Sequence, residues 1–150
     1  MYLYSEPESA VKDTLLALEQ EMCWYRLFIS ESKNNWFKIE SIMVMPSCRD
    51  HFVSKCDSCY KGMWIRGENL KINIADLNVK PVNGIKFFEE PNLSSEVIYS
   101  SGKFLKTDLI EVKGNWAKVR FEAENKTYTA WLQKADQCSL PWTSCPKITN

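Results

Sequence analysis

The stretch Gly114-Asn115-Trp116-Ala117-Lys118-Val119-Arg120-Phe121 decides the fold of this chain. From its tryptophan onward the side chains alternate between two faces, one of which carries Ala117, Val119 and Phe121. This period predicts a β-strand that is buried on one side. The preceding Gly-Asn pair predicts a hairpin turn, because both residue types tolerate positive φ. The earlier stretch Asn34-Asn35-Trp36-Phe37-Lys38-Ile39 has the same pattern, so the chain contains an internal repeat.

Two more landmarks recur in the same order in both halves. Tyr2-Leu3-Tyr4-Ser5-Glu6-Pro7 matches Ile85-Lys86-Phe87-Phe88-Glu89-Glu90-Pro91, and each is a strand pattern that stops at Glu-Pro. Later, Gly62-Met63-Trp64-Ile65 matches Thr129-Ala130-Trp131-Leu132. The separation between matched landmarks shrinks along the chain, which indicates an insertion in the first repeat, at about residues 41–61. Repetition of this kind determines the architecture.

The composition excludes several classes of protein. A chain of 150 residues makes one ordinary domain or two small ones. Its 19 basic and 19 acidic residues cancel, and they also nearly cancel within each half. Binding to nucleic acid or to an anionic membrane needs a clustered basic face, so we expect neither. The longest apolar runs are as short as Ile42-Met43-Val44-Met45, so we also expect no membrane insertion.

The six cysteines bear on the compartment. An even and high cysteine count favours an oxidising environment. The chain opens on Tyr-Leu-Tyr-Ser-Glu-Pro after its methionine, without the pattern of a signal peptide. We therefore expect an exported protein, periplasmic or extracellular, whose signal peptide was removed. The alternative is a cytosolic protein with reduced or metal-bound thiols.

One segment of the first repeat is ambiguous. Residues 7–22 have the spacing of an amphipathic helix, with Val11, Leu15, Leu18 and Met22 on one face. Alignment of the repeats instead matches residues 17–24 with the strand region at 101–108. Because tertiary context overrides weak propensity, we predict strands here, with helical turns between residues 8 and 16.

Together these landmarks resemble the bacterial SH3-like domain. The matching motifs are Trp36-Phe37-Lys38-Ile39 with Gly62-Met63-Trp64-Ile65, and their counterparts Trp116-Ala117-Lys118-Val119 and Ala130-Trp131-Leu132. The second repeat departs from the family in having Thr129-Ala130 where glycine is usual. The resemblance implies an all-β fold of two tandem small SH3-like antiparallel barrels, at residues 1–76 and 82–150. The first would carry the Cys-rich insertion, and the second a Cys-stapled C-terminal tail.

The cysteines admit two interpretations. Disulfides are the preferred one, with all six as candidates: Cys23, Cys48, Cys56, Cys59, Cys138 and Cys145. The preferred pairs are Cys138–Cys145, then Cys56–Cys59 or Cys48–Cys59, and Cys23 with the remaining insertion thiol. The alternative is a zinc site in the insertion, because three thiols and one imidazole can bind zinc tetrahedrally. Its ligands would be Cys48, His51, Cys56 and Cys59. We expect no other cofactor.

We do not expect an enzyme. The only histidine is His51, and no glycine-rich phosphate loop is present in the sequence. The motif Cys56-Asp57-Ser58-Cys59 lacks the βαβ context of a redox site.

Aromatic side chains are the remaining candidates for function. Those near predicted strand ends and loops are candidate ligand-binding residues: Trp24, Tyr25, Tyr60, Tyr128 and Trp142. The landmark tryptophans are interpreted as packing residues. The resemblance implies a groove for cell-wall peptide or peptidoglycan, so we predict a non-catalytic binding module of the cell envelope. Its partner would be peptidoglycan, its stem peptides or an envelope protein. The alternatives are a protein inhibitor, immunity or scaffold protein, and a zinc-stabilised interaction domain.

Overall fold

The computed structural model describes residues 1–15, 23, 25–44, 59–74, 84–103 and 105–138. These residues form an all-β structure with two antiparallel sheets, so the predicted fold class is confirmed at this level. The chain divides into two compact units, Met1–Glu68 (the first unit) and Asn69–Asn150 (the second unit). Within the described ranges no helix has the length and apolarity needed to cross a membrane.

The first unit contains one five-stranded sheet. Its strands are β1 (Tyr2–Tyr4), β2 (Val11–Thr14), β3 (Tyr25–Lys33), β4 (Trp36–Val44) and β5 (Trp64–Arg66). They lie in the order β2-β1-β5-β4-β3. A short 3₁₀ turn follows β5 at Gly67–Asn69.

The second unit contains a seven-stranded sheet. Its strands are β6 (Lys71–Ile74), β7 (Ile85–Phe88), β8 (Val97–Ser101), β9 (Lys106–Lys113), β10 (Trp116–Ala123), β11 (Lys126–Gln133) and β12 (Gln137–Cys138). They lie in the order β12-β6-β9-β10-β11-β7-β8. A 3₁₀ turn at Lys134–Asp136 separates β11 from β12.

The two sheets repeat the same strand order. Read from the opposite edge, the second sheet begins β8-β7-β11-β10-β9, which corresponds strand for strand to β2-β1-β5-β4-β3. A bulge is repeated as well: the pairing of β3 with β4 skips Ser30, and the pairing of β9 with β10 skips Ile110. The internal repeat read from the sequence is therefore present in the topology.

The hairpin turns agree with the local sequence. β9 ends at Lys113 and β10 begins at Trp116, so the turn predicted at Gly114 and Asn115 is confirmed. Gly114 has a φ of 56°, and the matching turn of the first repeat has φ values of 48° at Asn34 and 63° at Asn35. Such left-handed conformations are the ones that glycine and asparagine accept most readily.

Each sheet buries one face through alternation. In the first unit Phe37 and Ile39 of β4 are completely buried. At the equivalent positions of β10, Ala117 and Val119 are also completely buried. Because successive residues of a strand point to opposite faces, the tryptophan and lysine that alternate with them lie on the other face of each sheet.

One prediction about the first repeat differs from the structure. Residues 11–14 form a strand, whereas we expected helical turns between residues 8 and 16, and none is found up to residue 15. Glu8 has a φ of 63°, which is left-handed and cannot belong to a right-handed helix. Residue 16 and most of the predicted strand at 17–24 lie outside the described residues.

The boundary between the units also differs from the predicted one. We assigned residues 1–76 to the first domain, but the second unit begins at Asn69 and includes β6. This strand pairs with β9, with Lys71 opposite Asp108, and also with β12. The partner of this strand depends on residues distant in sequence, which the local pattern at 71–74 does not contain. The segment that joins the two predicted domains lies outside the described residues.

Candidate functional site

Equivalent aromatic pairs occur in the two units. In the first, the ring centroids of Tyr4 and Trp36 are 4.8 Å apart at an interplanar angle of 87°. In the second, those of Phe88 and Trp116 are 5.4 Å apart at 86°. Edge-to-face contacts of this kind stabilise aromatic pairs beyond the area they bury. The repeat therefore preserves a side-chain contact as well as a strand order.

A second repeated contact lies beside each pair. Lys38 Nζ is 5.5 Å from the centroid of the Trp64 ring, and Lys118 Nζ is 5.6 Å from that of Trp131. The register explains both, because Lys38 lies opposite Trp64 and Lys118 opposite Trp131. These cation–π contacts cover the two buried tryptophans on the face of each sheet opposite to the alternating residues described above.

The units differ at one position of this face. The guanidinium carbon of Arg66 lies 4.8 Å from the centroid of the Trp36 ring, and Trp36 is only 4% exposed. The residue in the same register opposite Trp116 is Gln133, and Trp116 is half-buried. The first unit thus covers its tryptophan with a cation, while the second leaves more of the ring accessible.

Each aromatic pair borders exposed apolar side chains. Val11 lies directly opposite Tyr4 and is 50% exposed, and Val97 lies directly opposite Phe88 and is 39% exposed. Tyr2 adds a 62% exposed ring in the first unit, and Leu93 is 67% exposed in the second. We call these surfaces the aromatic corners. Corner 1 consists of Tyr2, Tyr4, Val11, Trp36 and Arg66, and corner 2 of Phe88, Leu93, Val97, Trp116 and Gln133.

Corner 2 is concave. A depression of about 330 Å³ is lined there by Phe88, Leu93, Val97 and Gln133, together with Gly84, Lys86 and Asp136. No protein-family model, no curated protein and no solved structure matches this chain. The geometry of the corners is therefore the basis for their assignment. An apolar hollow with charged groups at its rim is suited to holding a ligand.

Tyr25 and Tyr60, two of the predicted ligand-binding residues, lie near each other in the first unit. Burial and then the neighbouring Tyr60 raise the pKa of Tyr25 above its ordinary value. Burial and then Asp13 raise the pKa of Tyr60. Tyr60 is buried and Tyr25 is half-buried, so this pair offers little accessible ring surface.

Tyr128 lies in the second unit, in a different environment. Its ring stacks on Phe121, with centroids 5.4 Å apart at 14°, and its centroid is 4.9 Å from that of Tyr99. Phe87 completes the cluster 4.5 Å from Phe121. The cluster forms the rim of the core, and burial is the main cause that raises the pKa of Tyr99. Trp24 and Trp142 lie outside the described residues.

The sequence interpretation missed the corners. It did not select Tyr4 or Phe88, and it interpreted Trp36 and Trp116 as packing residues, of which Trp36 is buried. A signal was present, because Tyr4 and Phe88 both stand just before the Glu-Pro turn of their repeat. A comparison of the two repeats for positions that are aromatic in both would have identified Tyr4 and Phe88.

The cysteines are described only in part. Cys23, Cys59 and Cys138 are disulfide-bonded, whereas Cys48, Cys56 and Cys145 lie outside the described residues. The predicted pairings therefore stay predictions. Of the four alternative zinc ligands only Cys59 is described, and a sulfur held in a disulfide is not the thiolate that zinc binds.

Proposed function

We propose that this protein is a non-catalytic binding module of the cell envelope that recognises cell-wall peptide or peptidoglycan through its aromatic corners. The observation that carries the proposal is the recurrence of one corner in both units. Tyr4–Trp36 with Val11 corresponds to Phe88–Trp116 with Val97 in register and in ring geometry. Exposed apolar patches at defined positions are typical of binding surfaces.

Duplication of the corner favours a repetitive ligand. A chain with two equivalent sites gains avidity only when its ligand offers two equivalent epitopes. Peptidoglycan is a polymer of repeated units, whereas a monomeric protein presents each epitope once. The recurrence therefore supports the cell-wall ligand over a single envelope protein.

We also propose that the two units are variants of tandem SH3-like barrels. Both have short antiparallel strands in one order, and both have a 3₁₀ turn before a short last strand. In this proposal β6 is the last strand of the first barrel by sequence, although it is built into the second sheet.

We further propose that the protein acts outside the reducing cytoplasm. The disulfides of Cys23, Cys59 and Cys138 support this, because disulfides persist in oxidising compartments. Thiol labelling after denaturation without reductant tests it. We expect essentially no reactive thiol, and labelling of all six cysteines would contradict export with disulfides.

Co-sedimentation with purified sacculi tests the function. We expect the oxidised protein to be retained, and soluble muropeptides to compete it away. Val11→Ser in corner 1 and Val97→Ser in corner 2 should each weaken retention, and the double variant should weaken it more than either alone. Met43→Ser is the matched control, since Met43 is an exposed apolar residue of the first unit outside the corner.

Two outcomes would count against the proposal. Equal loss in the Met43→Ser and Val11→Ser variants would show that the corner is not the site. Absence of retention, with one envelope protein enriched in a parallel pull-down, would favour the inhibitor, immunity or scaffold function.

A further inference from the structure

Two neighbouring strands in the sheet of the second unit, β9 and β10, separate at one end and leave a seam between them. The pairing of β9 with β10 ends at Asp108 and Arg120. Beyond this point β10 stays paired with β11 as far as Ala123, while β9 stays paired with β6, where Lys106 lies opposite Asn73. The two strand pairs therefore separate from each other at this end of the sheet.

The space between them is a groove of about 730 Å³, which we call the seam groove. Leu105 and Phe121 contribute apolar surface to its lining. Its volume lies in the range of sites that hold drug-sized ligands. A gap between two strands is suited to an extended peptide, because strand edges offer main-chain hydrogen bonds to such a segment.

The charges of the groove do not balance. Lys71 Nζ donates a hydrogen bond to Asp108 Oδ1, and Arg120 Nη2 donates one to Asp108 Oδ2 at 3.5 Å. Two cations thus share one carboxylate. Lys106 and Glu122 also line the groove, and neither forms an ion pair with another residue in the described part of the chain. Three cations face two carboxylates, which leaves an excess of one positive charge.

One wall of this groove comes from β6, a strand of the second unit. Lys71 and Asn73 belong to β6, which follows the first repeat in sequence. In the first unit, β3 is the strand equivalent to β9, and it terminates the sheet that the described residues form. The groove is thus a property of the second unit, unlike the aromatic corners, which are present in both.

We propose that the seam groove is a second binding site, separate from the aromatic corners, which takes an extended acidic peptide segment of a partner protein. The acidic side chain meets the excess positive charge, and an apolar neighbour in the segment covers Leu105, which is half-buried, whereas Phe121 is only 3% exposed. The sign of the charge selects the ligand, and contact with Leu105 adds apolar burial.

Fluorescence anisotropy with short capped peptides tests this site. The probe is a labelled peptide of alternating leucine and glutamate, and its counterpart carries lysine in place of glutamate. We expect the full-length protein to bind the acidic peptide and not the basic one. Binding should weaken as salt rises, because exposed charges are screened.

Three variants separate the site from general charge effects. Lys106→Gln should weaken binding of the acidic peptide about threefold, and Glu122→Gln should strengthen it by a similar factor, as is typical of single exposed charges. Lys113→Gln is the matched control, because Lys113 is equally an exposed lysine of β9 but lies at the far end of that strand. It should leave binding unchanged.

Several results would overturn the proposal. These are failure of the acidic peptide to bind, equal binding of the basic peptide, and equal effects of Lys106→Gln and Lys113→Gln. Val97→Ser should leave peptide binding intact while weakening retention on sacculi. The seam-groove proposal and the proposed cell-wall function can therefore be refuted independently of each other.

Discussion

Lys71 donates a hydrogen bond to Asp108 across the β6–β9 ladder, although 37 residues separate the two in sequence. Lys71 follows the landmarks of the first repeat, and Asp108 lies within the second. This contact ties the strand that ends one repeat to a central strand of the other repeat's sheet. It also sets the charge of the seam groove, because Asp108 is the carboxylate that Lys71 and Arg120 share.

We predict that Asp108→Asn removes a pH-dependent part of the stability. The hydrogen bond from Lys71 is the main cause that lowers the pKa of Asp108 below its ordinary value of 3.8. A lowered folded-state pKa means that the contribution is fully present above the unfolded pKa and is lost as the pH falls through the folded pKa. Since both side chains are more than one-third exposed, we expect about 1 kcal/mol or less.

Urea unfolding of the wild type and of Asp108→Asn, at neutral pH and at decreasing pH, measures this difference. The difference in the free energy of unfolding between the wild type and Asp108→Asn should disappear at acidic pH. Glu111→Gln, on the same strand, is the matched control for loss of one carboxylate. A gap that persists unchanged in acid would contradict the assignment.

We predict that Trp36→Ala destabilises the first unit by about 3–5 kcal/mol. Trp36 is almost completely buried between Tyr4 and Arg66, so its removal leaves a cavity. Trp116→Ala should cost the second unit less, because Trp116 is half-buried. Urea unfolding, monitored by hydrogen exchange at amides of each unit, measures the loss of stability in both variants. Equal costs would show that the two aromatic pairs are shielded alike.

We predict that Gly67→Ala is destabilising by about 1–3 kcal/mol through overpacking. A Cβ at this position would lie 2.4 Å from Cε2 of Phe37 and 2.5 Å from Oδ1 of Asn35. Gly102→Ala is the matched control, because a Cβ there would meet nothing within 4 Å. Thermal unfolding of both variants is the measurement, and a tolerated Gly67→Ala would disprove the close approach.

We predict that Ile74→Ala destabilises the second unit by about 2–5 kcal/mol and leaves the first unaffected. Ile74 is buried in β6, and β6 pairs with β9 and β12. Ile42→Ala, at an equally buried position of β4, should do the reverse. Hydrogen exchange at the amides of Val119 and Ile39 reports on each unit separately. Loss of protection at Ile39 in the Ile74→Ala variant would instead support the domain boundary predicted from the sequence, which places Ile74 in the first domain.

Local patterns in the sequence were sufficient for the strands and the hairpins. Alternation around Trp116 and the Gly-Asn pair before it depend only on neighbouring residues, so they predicted β10 and its turn correctly. The partner of β6 depends on residues far away in the chain, and no local pattern contains it. The same limit applies to the seam groove, which exists only because β9 and β10 separate.

Exposure was harder to predict than secondary structure. Tyr60 lies in a turn, where side chains are commonly accessible, and yet it is buried. The main chain explains this, because the amide of Gly62 donates to the carbonyl of Ile39 at 2.8 Å and holds the turn against β4. Tyr4 and Val11, by contrast, became recognisable as a surface only when the register placed them opposite each other.

The position of β6 has a consequence for synthesis of the protein on the ribosome. Lys71 emerges 37 residues before the strand position that it pairs with, which corresponds to about two to seven seconds of translation. During this interval the strand Lys71-Ile72-Asn73-Ile74 exists without its sheet. Its lysine and asparagine alternate with the two isoleucines, and such polar positions keep an unpaired strand from pairing with other nascent chains.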